Sequence, residues 1–211
     1  MRDRDGGFTL IEMLVVICII AILTGLVTAG IHSALVSSRT SSSEVMLQNI
    51  SGALSTYQTQ WGDYPPSTVA ELGGRPPNGV CNGIEALVAC LASKKRSGPL
   101  YQPPADEQYT NVDGDQDAAT AKATDWFFGD SQLREYSDFF GFTLIYLHHK
   151  DYAKPRAEVV TYRFSTGGEE FKVLPEKSPA TKAFVNPGRF QLRSPGRDGK
   201  PDTGDDVRTG N

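Results

Sequence analysis

From Phe8 to Ile31 the chain is almost continuously apolar, and between Met13 and Ser38 it carries no Asp, Glu, Lys or Arg. A helix over Phe8–Ile31 would be about 36 Å long at the usual rise, enough to span the hydrocarbon layer of a bilayer. Beyond it the apolar positions take helical spacing. Met46, Ile50, Ala53, Leu54, Tyr57 and Trp61 share one face, while Ser41, Ser42, Ser43, Gln48 and Ser55 fall mostly elsewhere. The pattern predicts one long helix from about Phe8 to Gln60, interrupted or softened around Gly25 and Gly30, where each glycine costs about 1 kcal/mol relative to alanine. Pro65 and Pro66 in "WGDYPP" end it. A shorter helix is predicted over Asn82–Lys95, with Asn82 as its cap and Ile84, Leu87, Val88 and Leu91 as its buried stripe.

Strand patterns come late in the chain, at Phe142–His149, Ala157–Phe164, Glu169–Leu174 and Arg189–Ser194. Each is rich in β-branched or aromatic residues and bounded by Gly, Pro or charged turns. The fold class is therefore α+β: a long N-terminal helix, its first half membrane-spanning, packed against a small C-terminal antiparallel sheet.

Composition narrows the function. The 211 residues carry a formal charge of −4, and no basic stripe with interleaved aromatics marks a nucleic-acid surface. Lys94-Lys95-Arg96 reads as a short solvated cluster. One hydrophobic segment followed by a polar body describes a membrane-anchored protein. A cleaved secretory signal would have a positive leader and a shorter apolar run. Here Arg2 and Arg4 are balanced by Asp3 and Asp5, although Thr28-Ala29-Gly30 has the form of a cleavage site. Cys18 follows Ile17, not the small residue that lipid attachment needs. Neither those readings nor a simple anchor explains Glu12, a lone acid beside the apolar run. Such a charge costs roughly 2.5–3.5 kcal/mol in lipid unless it is paired.

"GFTLIEMLVVICIIAIL" resembles the N-terminus of type IV pilins and type II secretion pseudopilins, in which a leader ends in glycine before Phe-Thr-Leu-(Ile/Val)-Glu and a long apolar helix. The resemblance implies that a prepilin peptidase cuts between Gly7 and Phe8 and N-methylates the Phe8 amine, leaving 211 − 7 = 204 residues. Glu12 is then an assembly residue. Its carboxylate neutralises the new α-amino group of a neighbouring subunit, and such a pairing sets register more than it adds stability. The implied organisation is a leader at 1–7, a membrane and filament-core helix at 8–31 and the periplasmic half of that helix at 32–61. A globular head at 62–188 and a C-terminal segment at 189–211 follow. "WGDYPP" is similar to the family's junction between helix and head. "DFFGFTLIYL" falls where the family has Asp-x-Trp-Gly-Asn-Pro, with Phe140, Phe142 and Thr143 in place of the Trp, Asn and Pro.

Export to an oxidising periplasm permits a Cys81–Cys90 disulfide. A helix running from Gly83 would instead hold the two about 10–13 Å apart along its axis, against the limit of about 7 Å between Cα atoms. The pairing stays open. "NVDGDQD" at Asn111–Asp117 lacks the EF-hand pattern, because Ala118 and Thr124 stand where glycine and glutamate are needed. It reads as a solvated acidic loop.

"RSPGRDGKPDTGDDVRTGN" gathers Asp198, Asp202, Asp205 and Asp206 among glycines and prolines. Composition alone allows either solvated turns or a calcium loop. The stretch resembles the calcium-binding end of the major type II secretion pseudopilin, aligning without a gap from Ser194 to Val207, with Asp202 in place of a glycine and Gly204 in place of an acid. The resemblance implies a structural Ca2+ held by Asp198, Asp205 and Asp206, completed by backbone carbonyls near Arg193, Ser194 and Val207.

The chain carries no nucleophile elbow, P-loop or HExxH pattern. His148-His149 would lie on opposite faces of a strand, so no enzyme activity is expected. The expected protein is a periplasmic pseudopilus subunit in the bacterial inner membrane, forming a helical homo-oligomer that drives protein export. Its implied partners are prepilin peptidase, minor pseudopilins, the inner-membrane assembly platform and the membrane itself, with no nucleic acid. A surface pilin and a calcium-dependent binding or tip protein are the alternatives.

Overall fold

The computed structural model describes residues 8–76, 78–92, 99–116, 131–155 and 160–209, without the side chains of 26–29. Gly7, the Lys94–Arg96 cluster, Asp117, Ala118, Thr124 and residues 157–159 lie outside them. The chain forms two units, the first ending at Arg39 and the second beginning at Thr40.

Helix α1 covers Leu10–Trp61. It passes through Gly25 and Gly30 without a break, so the helix is not interrupted there. Intrahelical hydrogen bonds continue there, and the Thr24 hydroxyl adds one by donating to Ile20 O at 2.8 Å. In the first unit the described large apolar side chains from Phe8 to Leu23, with Ile31 and Leu35, are exposed, and the helix is long and apolar enough to cross a membrane.

In the second unit the stripe of α1 becomes core. Ser43, Met46, Leu47, Ile50, Ala53, Leu54 and Tyr57 are buried. Trp61 is not: it is 48% exposed and stacks on Tyr57. The helix ends beside it, where Gly62 takes φ +82 and its N–H bonds to Gln58 O at 2.8 Å. That left-handed residue is the usual glycine stop.

Helix α2 (Asn82–Ala92) lies within the core, with Gly83 through Ala92 all buried. Asn82 does not cap it. The first turn closes on Cys81, whose carbonyl accepts from Ile84 N at 3.0 Å and Glu85 N at 3.2 Å. Gly83 allows the close packing of this helix, because a Cβ there would lie 2.7 Å from Tyr146 O.

Seven short strands follow: β1 (Tyr109–Thr110), β2 (Glu135–Tyr136), β3 (Ile145–His148), β4 (Thr161–Arg163), β5 (Glu170–Lys172), β6 (Phe190–Ser194) and β7 (Val207–Arg208). Among the described residues they form three antiparallel sheets, β1-β2, β3-β6-β7 and β4-β5. The expected strands are present as shorter β3, β4, β5 and β6. Instead of one sheet there are several small ones, joined through α2 and a parallel bridge from Val80 to Thr161. Strand β3 is buried throughout. Tyr146 Oη donates to Pro65 O at 2.7 Å, and Tyr162 Oη donates to Tyr146 O at 2.7 Å. These bonds fasten the exit of α1 and strand β4 to β3. The architecture is the α+β, pilin-like one that the sequence predicts.

Candidate functional site

The start of α1 is built by two side chains. Thr9 N and Thr9 Oγ1 both donate to Glu12 Oε2, at 2.8 and 2.7 Å. Glu12 N donates to Thr9 Oγ1 at 3.3 Å. This reciprocal pair is a capping box, which satisfies two N–H groups that no helical carbonyl can reach. The T-x-x-E spacing was visible in the sequence, but its local role was overlooked. Phe8 stands free beside it at 77% exposure; Gly7 lies outside the described residues.

The C-terminal loop is the turn between β6 and β7, whose register places Ser194 opposite Val207. Three of the predicted acids meet around one hydroxyl. Thr203 Oγ1 lies 2.6 Å from Asp205 Oδ1, 3.3 Å from Asp206 Oδ1 and 3.4 Å from Asp198 Oδ1. Asp198 N also donates to Asp205 Oδ2 at 3.0 Å. Gly196 lets the two ends of the loop touch, since a Cβ there would lie 2.2 Å from Asp205 O. Asp202 holds φ +66, the left-handed backbone expected of the glycine it replaces in the resemblance.

The loop also has protein cations. Arg193, 1% exposed, pairs with Asp202 at 2.6 Å and stands 3.9 Å from Asp206. Arg208 reaches Asp206 at 3.3 Å. Asp206 further accepts from Asp202 N and Thr203 N, and burial pushes its carboxyl above the usual range. Asp205 is held below that range, chiefly by the Thr203 hydroxyl. Asp206 therefore works as the loop's internal brace, while Asp198 and Asp205 form its outer acidic edge.

Ser194 is tied elsewhere: its hydroxyl donates to Asp138 Oδ2 and accepts from Gly196 N at 3.0 Å. Asp138 is the post of the turn before β3, its Oδ1 accepting from Phe140 N and Phe142 N at 2.8 and 2.9 Å. Phe142, which replaces an Asn of the resemblance, covers Gly199, where a Cβ would lie 2.6 Å from the ring. Phe139 N donates to Ser43 Oγ at 3.2 Å. The tail loop, the turn before β3 and the second-unit part of α1 thus form one connected network.

Cys81 and Cys90 are both buried thiols and are not bridged to one another. Cys81 Sγ donates to Arg163 O at 3.5 Å and accepts from Arg163 N at 3.4 Å.

Two further groups of side chains come together that the sequence did not reveal. At the end of β3 the two histidines do not diverge. The strand stops at His148 and a 3-10 turn begins, so the rings lie 4.3 Å apart and both Nε2 atoms face Asp63 Oδ1, at 3.2 and 3.6 Å. Lys150 pairs with the same carboxylate. Lys150 N donates to His148 Nδ1 at 3.1 Å, which leaves Nε2–H as the donor to Asp63.

In the second group, oxygens of Glu85, Asp113 and Asp115 all lie within 4.8 Å of one another. The segment at Asn111 is not the solvated loop expected, since Val112 and Asp115 are buried. Glu135 adjoins the group and accepts from Val112 N at 3.2 Å. Burial, with the neighbouring carboxylates, pushes Glu85 up to about 10 and Glu135 up to about 8.

Residues 2–28 match the family of the prokaryotic N-terminal methylation motif. That motif is typical of type IV pilins and pseudopilins, which are structural proteins, and it implies processing by a prepilin peptidase and assembly into filaments. No curated protein and no solved structure matches the chain.

Proposed function

We propose that the protein is a subunit of a type II secretion pseudopilus, anchored in the bacterial inner membrane with its head in the periplasm before assembly. The observation that carries the reading is the methylation motif leading into a helix whose described large apolar side chains, Phe8 to Leu23 with Ile31 and Leu35, are uncovered on the single chain. Lipid covers such a surface before assembly, and the same helix of neighbouring subunits covers it afterwards. Large contiguous apolar patches on a soluble monomer seldom exceed about 600 Å².

Glu12 takes a second role in this reading. Once Gly7 is removed, Phe8 carries a positive amine, and a Glu12 carboxylate on the next subunit neutralises it only in one register. Polymerisation then moves cargo outward mechanically. The resemblance of the C-terminal loop favours the pseudopilus over a surface pilus, and with it a structural Ca2+ at Asp198 and Asp205. Asp206 would contribute through the loop it braces, with backbone oxygens near Ser194 and Val207.

Mass analysis of purified filaments tests the reading. The chain is expected to begin at N-methyl-Phe8; an intact Met1, or a start near Gly30, overturns it. Filaments confined to the periplasm and required for export identify the pseudopilus, whereas filaments on the cell surface identify a pilus.

A further inference from the structure

We propose that Glu85, Asp113 and Asp115 hold a calcium ion inside the head, with Glu135 as a fourth carboxylate at its edge, separate from the C-terminal loop. The oxygens of the first three lie within 4.8 Å of one another, so a cation among them reaches each at about the 2.3–2.6 Å of calcium–oxygen bonds.

The independent sign is a buried acid whose oxygens have no partner. Glu85 is 1% exposed, and neither of its carboxylate oxygens has a hydrogen-bond partner. Glu135 is wholly buried and leaves Oε1 equally without one. Among the described residues no Lys, Arg or His forms an ion pair with Glu85, Asp113 or Glu135. Burying a carboxylate without a partner costs several kcal/mol, and a cation removes that cost for the group together. The cluster at Asp63 shows the contrast: Lys150 and the His148 N–H already satisfy its carboxylate.

The chain is shaped to present these oxygens. Asn78 Nδ2 donates to Asp113 Oδ2 at 3.0 Å and Asp115 Oδ2 at 3.2 Å. Asn111 Oδ1 accepts from Asp115 N at 3.0 Å, and its Nδ2 donates to Asp115 O at 2.8 Å. Gly114 turns the chain between the two aspartates at φ +73. Glu85 comes from the first turn of α2 and Glu135 from β2, so the ion joins three separate segments. The donor set selects the metal class. It is all oxygen, with no imidazole, and Cys81 Sγ is occupied by the Arg163 backbone. Carboxylates without nitrogen or sulfur suit calcium and not zinc.

The test uses the full chain in detergent, stripped of metal with EDTA and then equilibrated with calcium chloride while bound calcium is counted. Asp198→Ala and Asp205→Ala are introduced first, so that the C-terminal loop drops out of the count. This chain is expected to bind one calcium, and adding Glu85→Gln and Asp113→Asn should remove it. Both replacements preserve shape, and an unchanged melting temperature in EDTA verifies the fold. Should that chain melt lower in EDTA, Glu85→Gln alone is scored, with at least a tenfold loss of affinity expected. No calcium bound to the tail-substituted chain, an undiminished count after the added substitutions, or unchanged affinity with Glu85→Gln overturns the proposal. Failure at the tail with binding retained here would count against the tail loop alone.

Discussion

At the scale of single residues, Glu12 and Gly83 each carry two demands that substitutions separate. Glu12 closes the capping box with Thr9 and, in the proposed filament, neutralises a neighbour's amine. Glu12→Gln keeps an acceptor for Thr9 and loses the charge, whereas Glu12→Ala loses both, the cap being worth about 1 kcal/mol. Both variants should remain in the membrane and enter filaments several-fold less well than wild type, as measured by sheared or cross-linked filament yield. Full yield from the glutamine variant would reduce Glu12 to a cap. At Gly83, propensity and packing disagree in sign. Alanine is better than glycine in a helix by about 1 kcal/mol, yet its Cβ would meet Tyr146 O at 2.7 Å and Tyr162 Oη at 3.0 Å. A backbone carbonyl in a buried strand does not move aside cheaply, and overpacking costs about 1–3 kcal/mol. Gly83→Ala should therefore lower the urea midpoint.

At the scale of elements, the place where α1 passes into the head is pH-sensitive through Asp63 and His148. Burial opposes the charge on Asp63, but hydrogen bonds from Lys150 and Tyr64 and the nearby His148 hold its carboxyl well below the usual range. Burial likewise lowers His148, although Asp63 works the other way. The unfolded histidine takes up a proton near pH 6.5 before the folded one does, so stability falls as pH drops through that value. Asp63 stabilises the fold above about pH 4, the unfolded value, and that contribution fades below it. Both slopes run the same way. The raised Glu85 and Glu135 respond to pH the opposite way, so the reference is an Asp63→Asn, His148→Asn double variant that shares their response. Measured against it, wild type should lose urea midpoint in two stages between pH 7 and 3, and Asp63→Asn alone should flatten the lower stage. Little of this junction was legible in the sequence, because the histidine pair was assigned to a strand that ends one residue too soon to separate the rings. The long helix and strands β3 to β6 were legible because each repeats one period over enough residues. Strands β1, β2 and β7 have two residues each, too few to show a period. Trp61 keeps the helical spacing of the stripe, but as the last residue of α1 it stays half-exposed, and spacing alone does not show where burial ends. The acidic tail was found from its local density of aspartates. The group at Glu85 could not be, since Glu85 and Glu135 lie far along the chain from Asp113 and Asp115 and only the tertiary packing brings them together.

At the scale of the whole molecule, the two units make opposite use of the same helix. Up to Arg39 its described large apolar side chains are exposed; from Thr40 the stripe from Met46 to Tyr57 belongs to a core that includes α2 and the sheets. Burying one such side chain is worth about 1.5–3 kcal/mol, and the buried core cluster is made of residues of the second unit. A chain beginning at Thr40 should consequently fold as a soluble monomer. The cut exposes a new helix start, and Ser41 with Glu44 supplies the S-x-x-E spacing of a capping box there. Ser43 remains to receive Phe139 N, so the tie between helix, turn and tail loop survives. Removing the first unit removes the motif at residues 2–28 and with it Phe8 and Glu12, so the same chain should not enter filaments. Circular dichroism and sedimentation are expected to show cooperative unfolding and a monomer without detergent, while the full chain needs detergent to stay dispersed. Aggregation of the shortened chain, or its incorporation into filaments, would mean that the head depends on the N-terminal helix for more than anchorage and assembly.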